Sequence, residues 1–251
     1  MRYFIEFAYN GKAYHGWQKQ PNVISVQEVL EKALTTLLNE SIEVVGAGRT
    51  DTGVHAKQMY AHLDLEFPIS DPQFVYKMNQ FLPKDIVIKA FHHVKDDAHA
   101  RFDATSRTYN YIISEGKNPF TIESSLLLKN KLDIDKMNQA AAELLNYKNF
   151  KCFSKVHTNV KTYNCNVMHA EWKRTDNELI FTITADRFLR NMVRAIVGTM
   201  LDIGNNKIEV EDLKGIIESQ DRSNAGTSVL AQGLYLSKIT YPEDTFLNGN
   251  R

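Results

Sequence analysis

The chain has 251 residues, 30 Lys and Arg against 30 Asp and Glu, and a composition 43% apolar and 24% charged, which excludes a disordered or collagen-like protein and allows one large domain or two smaller ones. Its two cysteines, Cys152 and Cys165, stand thirteen positions apart with no Cys-x-x-Cys, so neither a zinc site nor a disulfide framework is supported and buried free thiols are expected. No apolar stretch approaches the roughly 20 residues of a bilayer-crossing helix, and the opening Met1-Arg2-Tyr3-Phe4-Ile5-Glu6 puts an acid where a signal peptide carries its apolar core, so an unanchored cytoplasmic protein is expected.

Arg2 to Tyr9 alternates, with Tyr3, Ile5, Phe7 and Tyr9 on one side, and predicts a strand. Ser25 and Glu28 form a capping box ahead of Val26, Val29, Leu30, Ala33, Leu34, Leu37 and Leu38, the apolar stripe of a helix. Ile42 to Val45 is a short strand candidate. After a glycine-rich turn, Met59, Ala61, Leu63, Leu65 and Phe67 alternate with Tyr60, His62, Asp64 and Glu66, as in a sheet with one solvated or ligand-facing side. Asp71-Pro72 opens a second helix through Phe74, Val75, Met78, Phe81 and Leu82, stopped by Pro83 and followed by a strand at Ile86 to Val94.

The second half nearly repeats this order. Strands are predicted at Thr105 to Ser114, Tyr163 to Lys173, Leu179 to Ala185 and Gly233 to Ile239, with helices at about Asp135 to Tyr147 and Phe188 to Ile203 and an extra short helix around Glu209 to Ser219. The expected fold class is α+β: two similar ferredoxin-like β-α-β-β-α-β halves with mainly antiparallel sheets, residues 1–104 and 105–251, flanking a central cleft that is the natural site.

Zero net charge conceals an uneven distribution. Leu144 to Ala170 contains no Asp or Glu but holds Lys148, Lys151, Lys155 and Lys161, while Arg187, Arg190 and Arg194 form a second acid-poor cluster. Scattered solvated lysines and a phosphate-binding surface both fit this pattern. In the predicted strand Thr105 to Ser114, Arg107, Tyr109 and Tyr111 share a face, either as core aromatics or as a base-stacking platform with a cation beside it. On the predicted helix from Phe188, the spacing of Arg187, Arg190 and Arg194 puts them on one face.

Chemistry concentrates in Gly46-Ala47-Gly48-Arg49-Thr50-Asp51-Thr52-Gly53-Val54-His55. A tight turn with Asp51 accepting local hydrogen bonds is one reading. A phosphate cradle fits poorly, because neither glycine-loop spacing is met. An aspartic protease needs a second such carboxylate, and Arg49 would keep Asp51 ionised instead of letting it share a proton.

The stretch closely resembles the signature of tRNA pseudouridine synthases of the TruA type, carried by Gly48-Arg49-Thr50-Asp51 and Gly53-Val54-His55. The likeness continues in Tyr14-His15-Gly16-Trp17-Gln18, Ser25-Val26-Gln27, Ala100-Arg101-Phe102, Arg107-x-Tyr109-x-Tyr111, Phe188-x-x-x-Met192-Val193-Arg194-x-Ile196-Val197-Gly198 and Gly233-Leu234-Tyr235-Leu236. Thr52 departs from the family's frequent alanine, and Thr108 and Asn110 stand where basic residues are common. The resemblance implies isomerisation of uridine to pseudouridine at positions 38 to 40 of the tRNA anticodon stem-loop by a homodimer, with no cofactor or metal. It makes Asp51 the catalytic carboxylate, attacking C1′ or removing the 2′ hydrogen, and puts Tyr109 under the target uracil. It also brings Arg194 to the carboxylate, while Arg49 assists base extrusion and Arg107 lies beside the stacking face. His55 is expected to be a structural hydrogen-bonding residue. Lys148, Lys151, Lys155, Arg187 and Arg190 are the expected contacts to the tRNA backbone. The alternative from another class is a non-catalytic RNA-binding module using the same sheet and lysines.

Overall fold

Alternation in the first strand, β1 (Arg2–Tyr9), buries Tyr3, Ile5, Phe7 and Tyr9 together. The computed structural model describes residues 1–156 and 160–247, in two units: Met1–Thr105 with the chain from Leu236 on, and Ser106–Tyr235. Residues 157–159, inside the acid-free segment, lie outside the described residues.

In the first unit, β1 leads to α1 (Val26–Leu38), whose N-cap Ser25 accepts from the Glu28 N–H at 3.3 Å and which ends at left-handed Asn39. The short strand β2 is Val45–Gly46, later and shorter than expected. The reason is local: the Val44 N–H donates to Glu31 Oε1 and the Val44 carbonyl accepts from Gln27 Nε2, so side chains take the bonds a ladder would use. Strand β3 (His55–Asp64) begins four residues ahead of Met59, then come α2 (Phe74–Phe81) and β4 (Ile86–Val94). Strand β1 lies antiparallel between β4 and β3.

The second unit contains β5 (Ser106–Ser114), β6 (Leu126–Leu127), α3 (Ile134–Glu143), β7 (Val167–Arg174), β8 (Glu178–Ala185), α4 (Met192–Gly204) and α5 (Asp212–Ser219). Strand β8 runs antiparallel between β5 and β7. Trp172 stacks on Phe181 at 4.8 Å and donates its indole N–H to Met200 Sδ, tying the sheet to α4. Cys152 and Cys165 are buried and not cross-linked, and burial pushes both thiols up to about 12. The last strand, β9 (Leu234–Thr240), belongs from Leu236 on to the first unit, where it lies beside β3.

Two expectations need correcting. The side of β3 expected to be solvated or ligand-facing is covered at Tyr60 and His62, both buried, Tyr60 meeting Tyr241 edge-on at 5.2 Å and His62 accepting the Ala100 N–H, while Asp64 at its end is exposed. Segments far along the chain cover that face, a packing that strand alternation does not encode. The second correction concerns α4, which starts at Met192 because Asn191 takes a left-handed φ of 67°. Arg187 and Arg190 therefore precede the helix and share no helical face with Arg194.

Candidate active site

The segment between β2 and β3 is held from below by the Tyr14-His15-Gly16-Trp17 stretch. The Trp17 N–H donates to the Thr50 carbonyl at 3.3 Å, the Gly53 N–H to the Tyr14 carbonyl at 3.3 Å, and the Val54 N–H to the Asp51 carbonyl at 3.1 Å. Gly16 and Gly53 have φ of +84° and +77°, the left-handed region that favours glycine. At Gly16 a Cβ would also strike the Thr50 carbonyl oxygen. That support is tied in turn to α1, since the Val26 and Gln27 N–H groups donate to the carbonyls of Gly16 and Trp17. The motif residues 14–18 and 25–27 thus share one task, the bracing of residues 50–54.

On this braced turn Thr50 is buried, Asp51 is half-buried, and Arg49 and Thr52 are exposed. Buried His55 accepts the Gly11 N–H on Nδ1 at 3.0 Å, a structural hydrogen bond that requires this nitrogen to be unprotonated. The main chain that carries the carboxylate is fixed by these bonds, and the residue is half-buried. Such a group can act on a bound molecule without first ordering its own loop.

In the second unit, Arg107, Tyr109 and Tyr111 lie on one side of β5, but their environments differ. Tyr111 is fully buried and donates to the Leu230 carbonyl at 2.8 Å, with its phenol pKa raised by burial. Tyr109 is half-buried and meets Phe188 edge-on at 5.1 Å. Arg107 donates from Nη1 to the Asp186 carbonyl at 2.8 Å. Tyr111 is therefore core, and Tyr109 is the aromatic of this face with accessible surface.

Arg194, in the first turn of α4, is locked by a reciprocal pair: its Nε donates to the Val229 carbonyl at 2.7 Å, and its own carbonyl accepts from the Val229 N–H. Residues 225–230 can lie this close because a Cβ on Gly198 would strike the Thr227 carbonyl. Gly226 donates its N–H to Thr199 Oγ1 at 2.8 Å. This segment, with Asp186, lies outside the residues that sequence reading selects, and Phe188 is selected there only as part of the matched motif, not as a neighbour of Tyr109. The available signal was the glycine four residues after Arg194 in the matched motif.

Lys148, Lys151, Lys155 and Arg190 are exposed and Arg187 is half-buried. The Lys155 N–H donates to the Arg190 carbonyl, and the carbonyl of Lys148 accepts from Cys165, so backbone pairing gathers parts of the two acid-poor clusters. The structure places Arg49 and Asp51 in the first unit, and Arg107, Tyr109, Arg194 and the other basic residues in the second. Among the described residues, no group of three His, Cys, Asp or Glu is arranged to hold a metal, and no helix is long and apolar enough to cross a membrane.

A family model described as tRNA pseudouridine synthase matches residues 6–103 and 140–242. The chain belongs to the tRNA pseudouridine synthase family. Arg49, Asp51 and Arg194 fall inside the matched stretches; Arg107 and Tyr109 fall between them. Proteins named tRNA pseudouridine synthase A from Bacteroides fragilis and Porphyromonas gingivalis are 53% and 52% identical to this chain, over 98% of it and 98% and 99% of their own lengths. One from Pseudoalteromonas atlantica is 39% identical, over 97% of this chain and 93% of its own. In this pseudouridine synthase family member, the loop that carries the signature is the one braced by residues 14–17.

Proposed function

We propose that the chain isomerises uridine to pseudouridine at positions 38 to 40 of the tRNA anticodon stem-loop, with Asp51 as the catalytic carboxylate. The observation that carries this reading is a half-buried aspartate on a braced turn, inside a sequence matched over 98% of its length by tRNA pseudouridine synthases. The reaction breaks the N1–C1′ bond, turns the uracil over and joins C5 to C1′. It neither adds nor removes atoms overall. Asp51 either attacks C1′ or removes the 2′ hydrogen, and both roles need its ionised form.

Tyr109 stacks on the target uracil, an interaction worth roughly 1 to 3 kcal/mol per base. Arg49 assists extrusion of that nucleotide, whose unstacking costs a few kcal/mol. Arg107 and Arg194 supply positive charge to the reacting nucleotide. Lys148, Lys151, Lys155, Arg187 and Arg190 bind the tRNA backbone, releasing condensed counterions. The protein works as a cytoplasmic homodimer, with residues 1–104 as the domain carrying the Asp51 loop and residues 105–251 as its partner domain. Each is a ferredoxin-like half, and the order β1-α1-β2-β3-α2-β4 supports that reading for the first.

The test is incubation of the protein with tRNA, followed by pseudouridine mapping. New pseudouridine at 38, 39 or 40 is expected. Binding without any pseudouridine would favour the RNA-binding module.

A further inference from the structure

Beside Asp51, Thr50 buries a hydroxyl that the chemistry above does not use. Thr50 Oγ1 lies 2.8 Å from the hydroxyl of Tyr9, and these residues are 8% and 4% exposed. The two positions are 41 residues apart in sequence. Tyr9 is the last residue of β1, and the sheet around it is irregular on both sides. The register slips between Phe7 and Tyr9 against β3, and between Glu6 and Phe7 against β4. Such irregularities bend a strand and re-aim its side chains, and the slip against β3 falls at Tyr9, the residue that reaches the loop.

We infer that Tyr9 is a positioning residue for the reaction: its hydroxyl, through Thr50, sets where the Asp51 carboxylate stands. This rests on the reading of Asp51 as catalytic. Thr50 is held at two points. Its carbonyl accepts from the Trp17 N–H, and its side chain is joined to Tyr9. Without the hydroxyl pair, the Thr50 side chain, on the residue next to Asp51, loses its anchor to β1, and the turn relies on main-chain bonds such as those to Tyr14 and Trp17. With the pair in place, Thr50 is tied both to the end of β1 and to the Trp17 stretch, and the Val54 N–H, bonded to the Asp51 carbonyl, closes the turn on the other side. Misplacement of a reacting group by about 1 Å can cost on the order of a hundredfold in rate. A hydroxyl pair that prevents such a shift therefore matters more to turnover than to folding.

The experiment compares Tyr9→Phe, Thr50→Val, the double variant Tyr9→Phe/Thr50→Val, Thr50→Ser and Asp51→Asn in the full chain. It reads single-turnover rate, tRNA Kd and Tm. Tyr9→Phe keeps the ring beside Phe7, whose centroid is 6.1 Å away. It is expected to lower the rate about tenfold or more while tRNA Kd stays within about twofold. Thr50→Val should lose as much, and Thr50→Ser should recover most of that loss. The double variant removes the pair from both ends, so its rate should stay as low as that of either single variant, the losses not adding. A rate that recovers together with Tm in the double variant would overturn the proposal, leaving the pair merely structural. So would a Tyr9→Phe rate within about twofold of wild type while Asp51→Asn is inactive. An active Asp51→Asn would instead remove the reading on which the proposal rests.

Discussion

At the scale of single residues, the second unit separates two tyrosines that strand periodicity treats alike. Tyr111 is fully enclosed and anchored on the Leu230 carbonyl, whereas Tyr109 is half-buried with one edge on Phe188. The sequence allowed either a core or a stacking role for this face, and the structure assigns core to one residue and accessible surface to its neighbour two positions earlier. Tyr109→Phe keeps the ring and should leave tRNA binding near wild type while lowering turnover, because on the proposed reading the hydroxyl moves a proton or bonds the base. Tyr109→Ala also loses stacking worth roughly 1 to 3 kcal/mol and should weaken tRNA capture accordingly. A fully active Tyr109→Phe, with Tyr109→Ala chiefly lowering Tm, would make this residue part of the core. Tyr111→Phe, by contrast, removes a buried hydroxyl that satisfies a carbonyl and should reduce stability by about 1 kcal/mol, measured by urea unfolding.

Elements explain why some of the site was legible and some was not. The strands and helices of the first unit follow from alternation and capping, and Asp51 stands out through the glycines and charges around it. What holds Asp51 does not follow from those patterns. Gly16 is needed because the backbone at φ +84° passes against the Thr50 carbonyl, a close approach between segments some thirty positions apart that no local period records. Gly16→Ala is accordingly expected to cost more than about 1 kcal/mol and to abolish turnover; a variant with native Tm and rate would show that the stretch is not a brace. The start of α4 was misplaced for a similar reason. Asn191 adopts a left-handed conformation that its identity permits but does not dictate. The loop at residues 99–103 adds a pH dependence. His62 accepts the Ala100 N–H on Nδ1, and burial, with Arg2 beside it, depresses its pKa to about 4 against an ordinary 6.5. The unfolded chain therefore takes up this proton first as pH falls. Stability from this group is complete above about pH 6.5, declines as the pH drops toward 4, and changes no further below that. Urea midpoints between pH 7 and 4.5 should fall more steeply for the wild type than for His62→Gln, and parallel slopes would remove His62 from the account.

For the whole molecule, zero net charge hides an uneven distribution of local charge. Backbone pairing sets Lys155 beside Arg190, while Lys148 and Lys151 remain exposed nearby in sequence. If these cations meet phosphates, replacing Lys148, Lys151 and Lys155 together by Ala should weaken tRNA binding and flatten its dependence on salt by up to about three counterions' worth of slope. An unchanged slope would leave the lysines as ordinary solvated surface. Membership of the tRNA pseudouridine synthase family rests on agreement over nearly the full chain; the proposed chemistry rests on one carboxylate. Replacing Asp51 by Asn preserves volume and removes the charge. The direct measurement is pseudouridine formed per enzyme in tRNA by wild type and Asp51→Asn, at saturating tRNA and with tRNA affinity measured alongside. The account predicts that turnover disappears while affinity changes little. Activity within roughly tenfold of wild type, a barrier change of only about 1.4 kcal/mol, would contradict it.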